Sequence, residues 1–150
     1  GVQDLQAGFK FRILDTRSAN PTNISLLGHL VAPTGSEGFS SNQAGVVGKL
    51  IISQQLNEVH GLLANLGYEY LGFDEGVFLM SLMWGITLDE RLALFLEPYM
   101  RSIELIDWLL NADAGMTYRL TNNLQVDYTF GVGLNHDINF HMVGMGILFP

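Results

Sequence analysis

Hydrophobic residues occupy alternate positions along most of the chain, and the alternation is cleanest around residues 110–134. Leu110, Ala112, Ala114, Met116, Tyr118 and Leu120 share one parity, against Asn111, Asp113, Gly115, Thr117, Arg119 and Thr121 on the other. Asn122-Asn123 interrupts. Leu124, Val126, Tyr128, Phe130, Val132 and Leu134 then resume the pattern against Gln125, Asp127, Thr129, Gly131 and Gly133. A period of two marks a strand whose faces meet different surroundings. Arms of about ten residues exceed the usual five or six of a soluble sheet and match what a tilted strand needs to cross a bilayer.

The same pattern predicts about nine strands in a meander, over residues 4–14, 24–32, 45–56, 61–71, 77–88, 92–101, 110–121, 124–134 and 140–149, while 102–108 obeys no clean period. Short turns at Asn57-Glu58, Asp89-Glu90 and Asn122-Asn123 alternate with longer, polar connections such as 33–42. Outer-membrane barrels show that asymmetry between their two rims. Where one strand holds several charges they share a parity: Asp4, Lys10 and Arg12; Glu97 and Arg101; Asp113 and Arg119. The opposite parity reads Leu62, Ala64, Leu66, Tyr68, Tyr70 and Phe78, Met80, Leu82, Trp84, Ile86, Leu88. An Arg or Lys at the lipid midplane costs about 2–4 kcal/mol, and this pattern avoids it. The polar parity carries Gly, Ser, Thr and Asn more than the Lys and Glu of a wet surface, and Tyr and Trp stand near strand ends as interfacial girdles do. The fold expected is all-β: an antiparallel up-and-down transmembrane β-barrel with lipid against the apolar parity. The competing expectation is a soluble ligand-binding β-barrel with the same alternation turned inside out.

Composition narrows the choice. The chain is 48% hydrophobic but only 15% charged, against about 25% in an average soluble domain. No run approaches 18 apolar residues, so no transmembrane helix is expected. Seventeen Gly fall largely inside the strands, where curvature or close packing must call for them. With no Cys there is no disulfide, thiolate metal site or Cys nucleophile, and a net charge of -8 speaks against a nucleic-acid partner.

The polar parity holds the candidate site residues: Lys10, Arg12, His29, Lys49, Glu69, Glu97, Arg101, Asp113, Arg119 and Asp127. They read either as the lining of a hydrated passage whose charges set selectivity or as paired charges filling a narrow, closed barrel. Catalysis finds no support. There is no Gly-x-Ser-x-Gly elbow, His-Glu-x-x-His or phosphate loop; His136 falls in a loop, His60 in a turn and His141 on the outward parity. Asp74-Glu75, Asp89-Glu90 and the pair Glu104 with Asp107 lack calcium-loop spacing. No enzyme activity, cofactor or metal is expected.

The segments Ala32-Pro33-Thr34-Gly35, Ala64-Asn65-Leu66-Gly67-Tyr68, Thr121-Asn122-Asn123-Leu124-Gln125-Val126-Asp127 and Gly131-Val132-Gly133-Leu134-Asn135, in that order, resemble the barrel family of phenol-degradation meta-pathway proteins, which are transporter-like outer-membrane proteins of Gram-negative bacteria. The resemblance covers most of the chain from about Leu5 onward. The last strand also resembles a barrel targeting signal, with alternating Val143, Met145, Ile147 and Phe149, but it departs by ending in Phe149-Pro150 and by placing Leu148 on the inward parity. The resemblance implies a barrel of about twelve strands, with residues 1–150 as one domain forming its C-terminal portion. An odd strand count agrees, because single-chain bacterial barrels have even numbers; absent earlier strands are favoured over closure by another chain or an error of one near 102–108. Gly1 begins a strand-like stretch directly, so a mature form or a fragment is expected. The implied function is passive uptake of small molecules, hydrophobic or aromatic by the family's name, across the bacterial outer membrane. Its partners would be the lipid bilayer and a small-molecule substrate. A non-conducting anchoring barrel in an envelope complex, with envelope proteins as partners, is the alternative.

Overall fold

The structure, a computed structural model, describes residues 1–16, 21–72 and 75–148. Nine strands form one sheet in sequence order: β1 (Leu5–Asp15), β2 (Thr22–Ala32), β3 (Gly45–Gln55), β4 (His60–Tyr70), β5 (Val77–Thr87), β6 (Leu92–Ile103), β7 (Asp107–Arg119), β8 (Leu124–Gly133) and β9 (Asn139–Ile147). Every neighbouring pair is antiparallel. This is the up-and-down all-β meander that the alternation predicts. At about 3.3 Å per residue, the eleven residues in each of β1 to β5 extend about 36 Å.

Local chemistry fixes the ends. Asn57 Oδ1 accepts from the N–H groups of Val59 and His60 at 2.9 and 2.8 Å, and Asp89 Oδ1 accepts from Arg91 and Leu92 at 2.7 and 2.8 Å. Each side chain closes its own turn, as Asn and Asp do. The same bonds, that from Arg91 first, hold the Asp89 carboxyl below its ordinary range. At 102–108 the structure resolves the ambiguity: β6 runs on to Ile103, and a tight turn through Glu104 (φ 49°) and Leu105 (φ 62°) leads straight into β7. Arg17 to Asn20 of the predicted first turn, Asp74, and the final Phe149-Pro150 lie outside the described residues.

Register carries one face through the whole sheet. Arg12 pairs with Ser25, Ser25 with Ile51, Ile51 with Asn65, Asn65 with Ser81, Ser81 with Tyr99, and Tyr99 with Asn111. A bulge between Arg12 and Leu14 returns Asp15 to the face of Arg12. This face is occluded: Ser25, Asn111, Thr129, Val31 and Val47 are buried although no second layer covers them. A single sheet can hide one face only by curling around it. The opposite face is open, with Leu30 68% exposed and Leu66, Leu82 and Leu96 near half. Ser102, between Phe78 and Trp108 in the ladder, is the buried exception on the outer face. Among the described residues the outer edges of β1 and β9 have no partner strand.

Candidate functional site: the inner face of the sheet

All ten charged or imidazole residues singled out from sequence lie on the occluded face. Lys10, Leu27, Lys49, Gly67, Leu79 and Arg101 follow one another through the ladder, and His29 stands beside Gly8, where a Cβ would collide with its ring. Glu69 lies opposite Val47 and Val77, Glu97 opposite Asp113, Asp127 opposite Thr117, and Arg119 opposite Gln125. With Asp15 and Asp107, which share the same register, these are all the charged side chains within the described strands. None stands on the outer face. Strand by strand that face is Leu, Ile, Val, Ala, Met and aromatic with Gly28, Gly48 and Pro98 among them, and Thr22, Gln54, His60, Ser102, Asn139 and His141 are confined to its margins or to the edge strand.

Aromatic side chains gather near both rims of the outer face. Tyr68 and Phe78 stack at 4.9 Å toward the rim of the longer loops, and His60 and Trp84 stack at 5.6 Å toward the rim of the tight turns. His60 is thus the first residue of β4, held against Trp84, rather than part of the turn expected from sequence. His141 faces outward as expected, in a 2.6 Å hydrogen bond with the Tyr128 hydroxyl, and His136 sits in its loop beside Asn135. Phe9 and Tyr128, both on the outer face, are 53% and 37% exposed.

On the inner face the charges only partly satisfy one another. Lys49 Nζ meets Glu69 Oε1 at 2.8 Å with both side chains partly covered. Arg12 meets Asp15 at 2.7 Å in the open, where such a pair is worth little. Glu97 and Asp113 are direct cross-strand neighbours of like charge, an arrangement that destabilises a sheet, and Asp113 Oδ1 is buried without a hydrogen-bond partner. A recess of about 350 Å³ opens here between Lys49, Asn65, Ser81, Glu97, Tyr99 and Asp113, with Asn65 donating to Ser81 at 2.9 Å. Beside it the β5–β6 ladder skips Leu82 and Met83, because Pro98 has no N–H to offer. Among the described residues no three His, Asp or Glu side chains gather as a metal-holding group.

The inner face is less polar than expected. Leu27, Ile51, Leu63, Met83, Phe95, Phe140 and Met142 share the register of the charges. Phe95 lies over Gly115 and Phe140 over Gly131, so inward glycines make room for rings from the next strand. Their parity was readable in the sequence.

A family model described as "Putative MetA-pathway of phenol degradation" matches residues 1–148. The chain belongs to that family. The match of this phenol-degradation MetA-pathway family member takes in all nine strands. No individually curated protein matches the chain.

Proposed function

We propose that this member of the phenol-degradation MetA-pathway family spans the bacterial outer membrane as part of a β-barrel and conducts small molecules passively along its inner face. The observation that carries the reading is the complete segregation of strand charges onto one face, with an apolar face turned outward. In water an exposed apolar surface of that extent would drive association; against acyl chains it is the required surface. Strand length and the aromatic rims support the same placement. In this reading further strands between β9 and β1 close the barrel, and residues 1–148 supply one arc of its wall.

The inner face suits a conduit. Charged side chains alternate there with Leu27, Ile51, Leu63, Met83 and Phe95, so the wall can wet a polar group and still touch an apolar one. That lining, with the family's description, favours small hydrophobic or aromatic solutes carrying a polar group. No residue takes a catalytic role. The test is reconstitution of the full protein into planar bilayers and vesicles: stepwise current and solute flux are expected. A folded, inserted protein that passes neither current nor solute would replace this reading with an anchoring barrel, and a monodisperse, detergent-free monomer would end the membrane placement.

A further inference from the structure

The inner-face charges are not mixed at random around the sheet. Counted from the strand ends at the tight turns, Lys10, Arg12 and Lys49 on β1 and β3 lie three to six residues in, and so do Glu97, Asp113 and Asp127 on β6, β7 and β8. The remaining inner-face charges stand nearer the rims: Glu69 and Arg101 nine residues in, Asp107 at the far end of β7, and Arg119 and Asp15 at the turn end itself. At mid-height, then, three cations occupy one end of the arc and three carboxylates the other, with β4 and β5 between them contributing no charge at that level. A sheet that curls around this face brings the two groups to opposite walls.

The acidic wall is not cancelled locally: Glu97 and Asp113 face each other with no cation paired to either among the described residues. On the basic wall Lys49 reaches Glu69 and Arg12 reaches Asp15, both carboxylates lying toward the rims, and Lys10 stands in no ion pair among the described residues. Fixed charges lining a narrow aqueous passage set which solutes enter it. Resting on the proposed channel, we infer that its waist carries a transverse electric field, from the Lys10, Arg12 and Lys49 wall to the Glu97, Asp113 and Asp127 wall. Such a field orients solutes that bear separated charges or a strong dipole and admits them ahead of uncharged solutes of equal size. It also balances the two signs, so small ions pass with little discrimination.

The experiment uses the full protein in planar bilayers under a potassium chloride gradient. A unit charge about 10 Å away in water changes an ion's local population by about twofold, and salt trims this further. Each removed charge acts in opposite senses on the two ions, so neutralising the acidic wall (E97Q, D113N and D127N together) should lower the potassium-to-chloride permeability ratio by up to about sixtyfold before screening and by several-fold in salt, and neutralising the basic wall (K10Q, R12Q and K49Q) should raise it by a similar factor. Flux of a small zwitterion relative to a polyol of equal size should fall in both. Should a triple variant fail to insert, the charge can be changed after insertion. None of these 150 residues is Cys, so K10C or D127C adds one thiol at the waist; an anionic or a cationic methanethiosulfonate reagent, read against the unmutated full protein given the same reagent, should move the ratio in the direction set by its own charge. Shifts below about twofold, or both walls moving the ratio the same way, overturn the field while leaving the channel intact. Absence of any current from the wild-type protein overturns the channel and the field together.

Discussion

Leu82 stands at the middle of β5, on the outer face, half exposed and with no charged neighbour in its ladder row. In the proposed membrane placement it lies at the bilayer midplane. Replacing it with Arg puts a guanidinium into hydrocarbon at a cost of about 2–4 kcal/mol, which lowers the folding equilibrium constant roughly thirty- to seven-hundredfold. Two controls separate lipid depth from other causes. Ser81→Arg, one residue away on the inner face, loses the bond from Asn65 at 2.9 Å and costs about 1 kcal/mol. Leu88→Arg sits just past the end of β5 on the outer parity, where an arginine reaches the interface and costs about 0–1 kcal/mol. The measurement is reversible denaturant unfolding from phospholipid vesicles, followed by the fluorescence of Trp84 and Trp108. A soluble sheet whose apolar face packed on protein would penalise Leu82→Arg too, but it would have no reason to spare Leu88 by depth. Equal costs at Leu82 and Leu88, or a larger cost at Ser81 than at Leu82, would refute the bilayer placement.

Other consequences are more local. Asp4, just before β1, accepts hydrogen bonds from Gly35 N at 2.8 Å and from Ser41 N at 3.1 Å, and so ties the chain's start to the β2–β3 connection. The Ser40 hydroxyl first, then the Gly35 N–H, hold its carboxyl down at about 2. Because the folded value is depressed, this tether is fully present above the ordinary value of 3.8 and is lost as pH falls through about 2; Asp4→Asn should expose residues 33–44 to hydrogen exchange at neutral pH, and unchanged exchange would refute the tether. A Cβ on Gly115 would run into the Tyr128 carbonyl oxygen and the Phe95 ring, whereas one on Gly48 meets nothing within 4 Å. Gly115→Ala should therefore destabilise by about 1–3 kcal/mol while Gly48→Ala is neutral or slightly stabilising, checked by the same unfolding assay. Replacing Glu104-Leu105 with Asn-Gly should stabilise the β6–β7 hairpin by about 1–2 kcal/mol, since each left-handed residue with a Cβ costs about 1 kcal/mol or more; no gain in unfolding midpoint would count against the strain.

Much of this architecture is legible in the residues because one rule, period two, governs every strand. The turn at Glu104–Leu105 escaped for a physical reason. Tight hairpins that need two left-handed residues ordinarily advertise themselves with Asn-Gly, and here the same conformation is imposed on Glu and Leu by the strands on either side. His60 escaped because Asn57 closes its turn in fewer residues than composition suggests, freeing the imidazole to stack on Trp84. The inner-face parity of the ten residues was recoverable, but the grouping of six of them at one height was not: it depends on where each strand begins and ends and on register, and a slip of one residue moves a side chain to the other face. Nor does parity show that Pro98 leaves a gap in the ladder beside Glu97 and Asp113, since that depends on which residue of β5 would have received its missing N–H.

The two open edges bear on the same question as the apolar face. Natural sheets blunt their edges with charges, prolines or very short strands. β1 is eleven residues long and β9 nine, both regular over most of their length, and β9 carries Met142, Val143 and Met145 with no charge at all. In water such edges invite a further strand; in hydrocarbon they are forbidden outright, because each unpaired N–H or C=O costs several kcal/mol. The membrane placement and closure by further strands therefore stand together. With nine strands β1 and β9 run the same way, so an odd number of additional strands completes the ladder antiparallel throughout and gives the even total found in single-chain bacterial barrels. Under the proposed closure the inner-face charges along the arc become walls that face each other, so that reading accounts together for the open edges, the apolar outer face and the charged inner face.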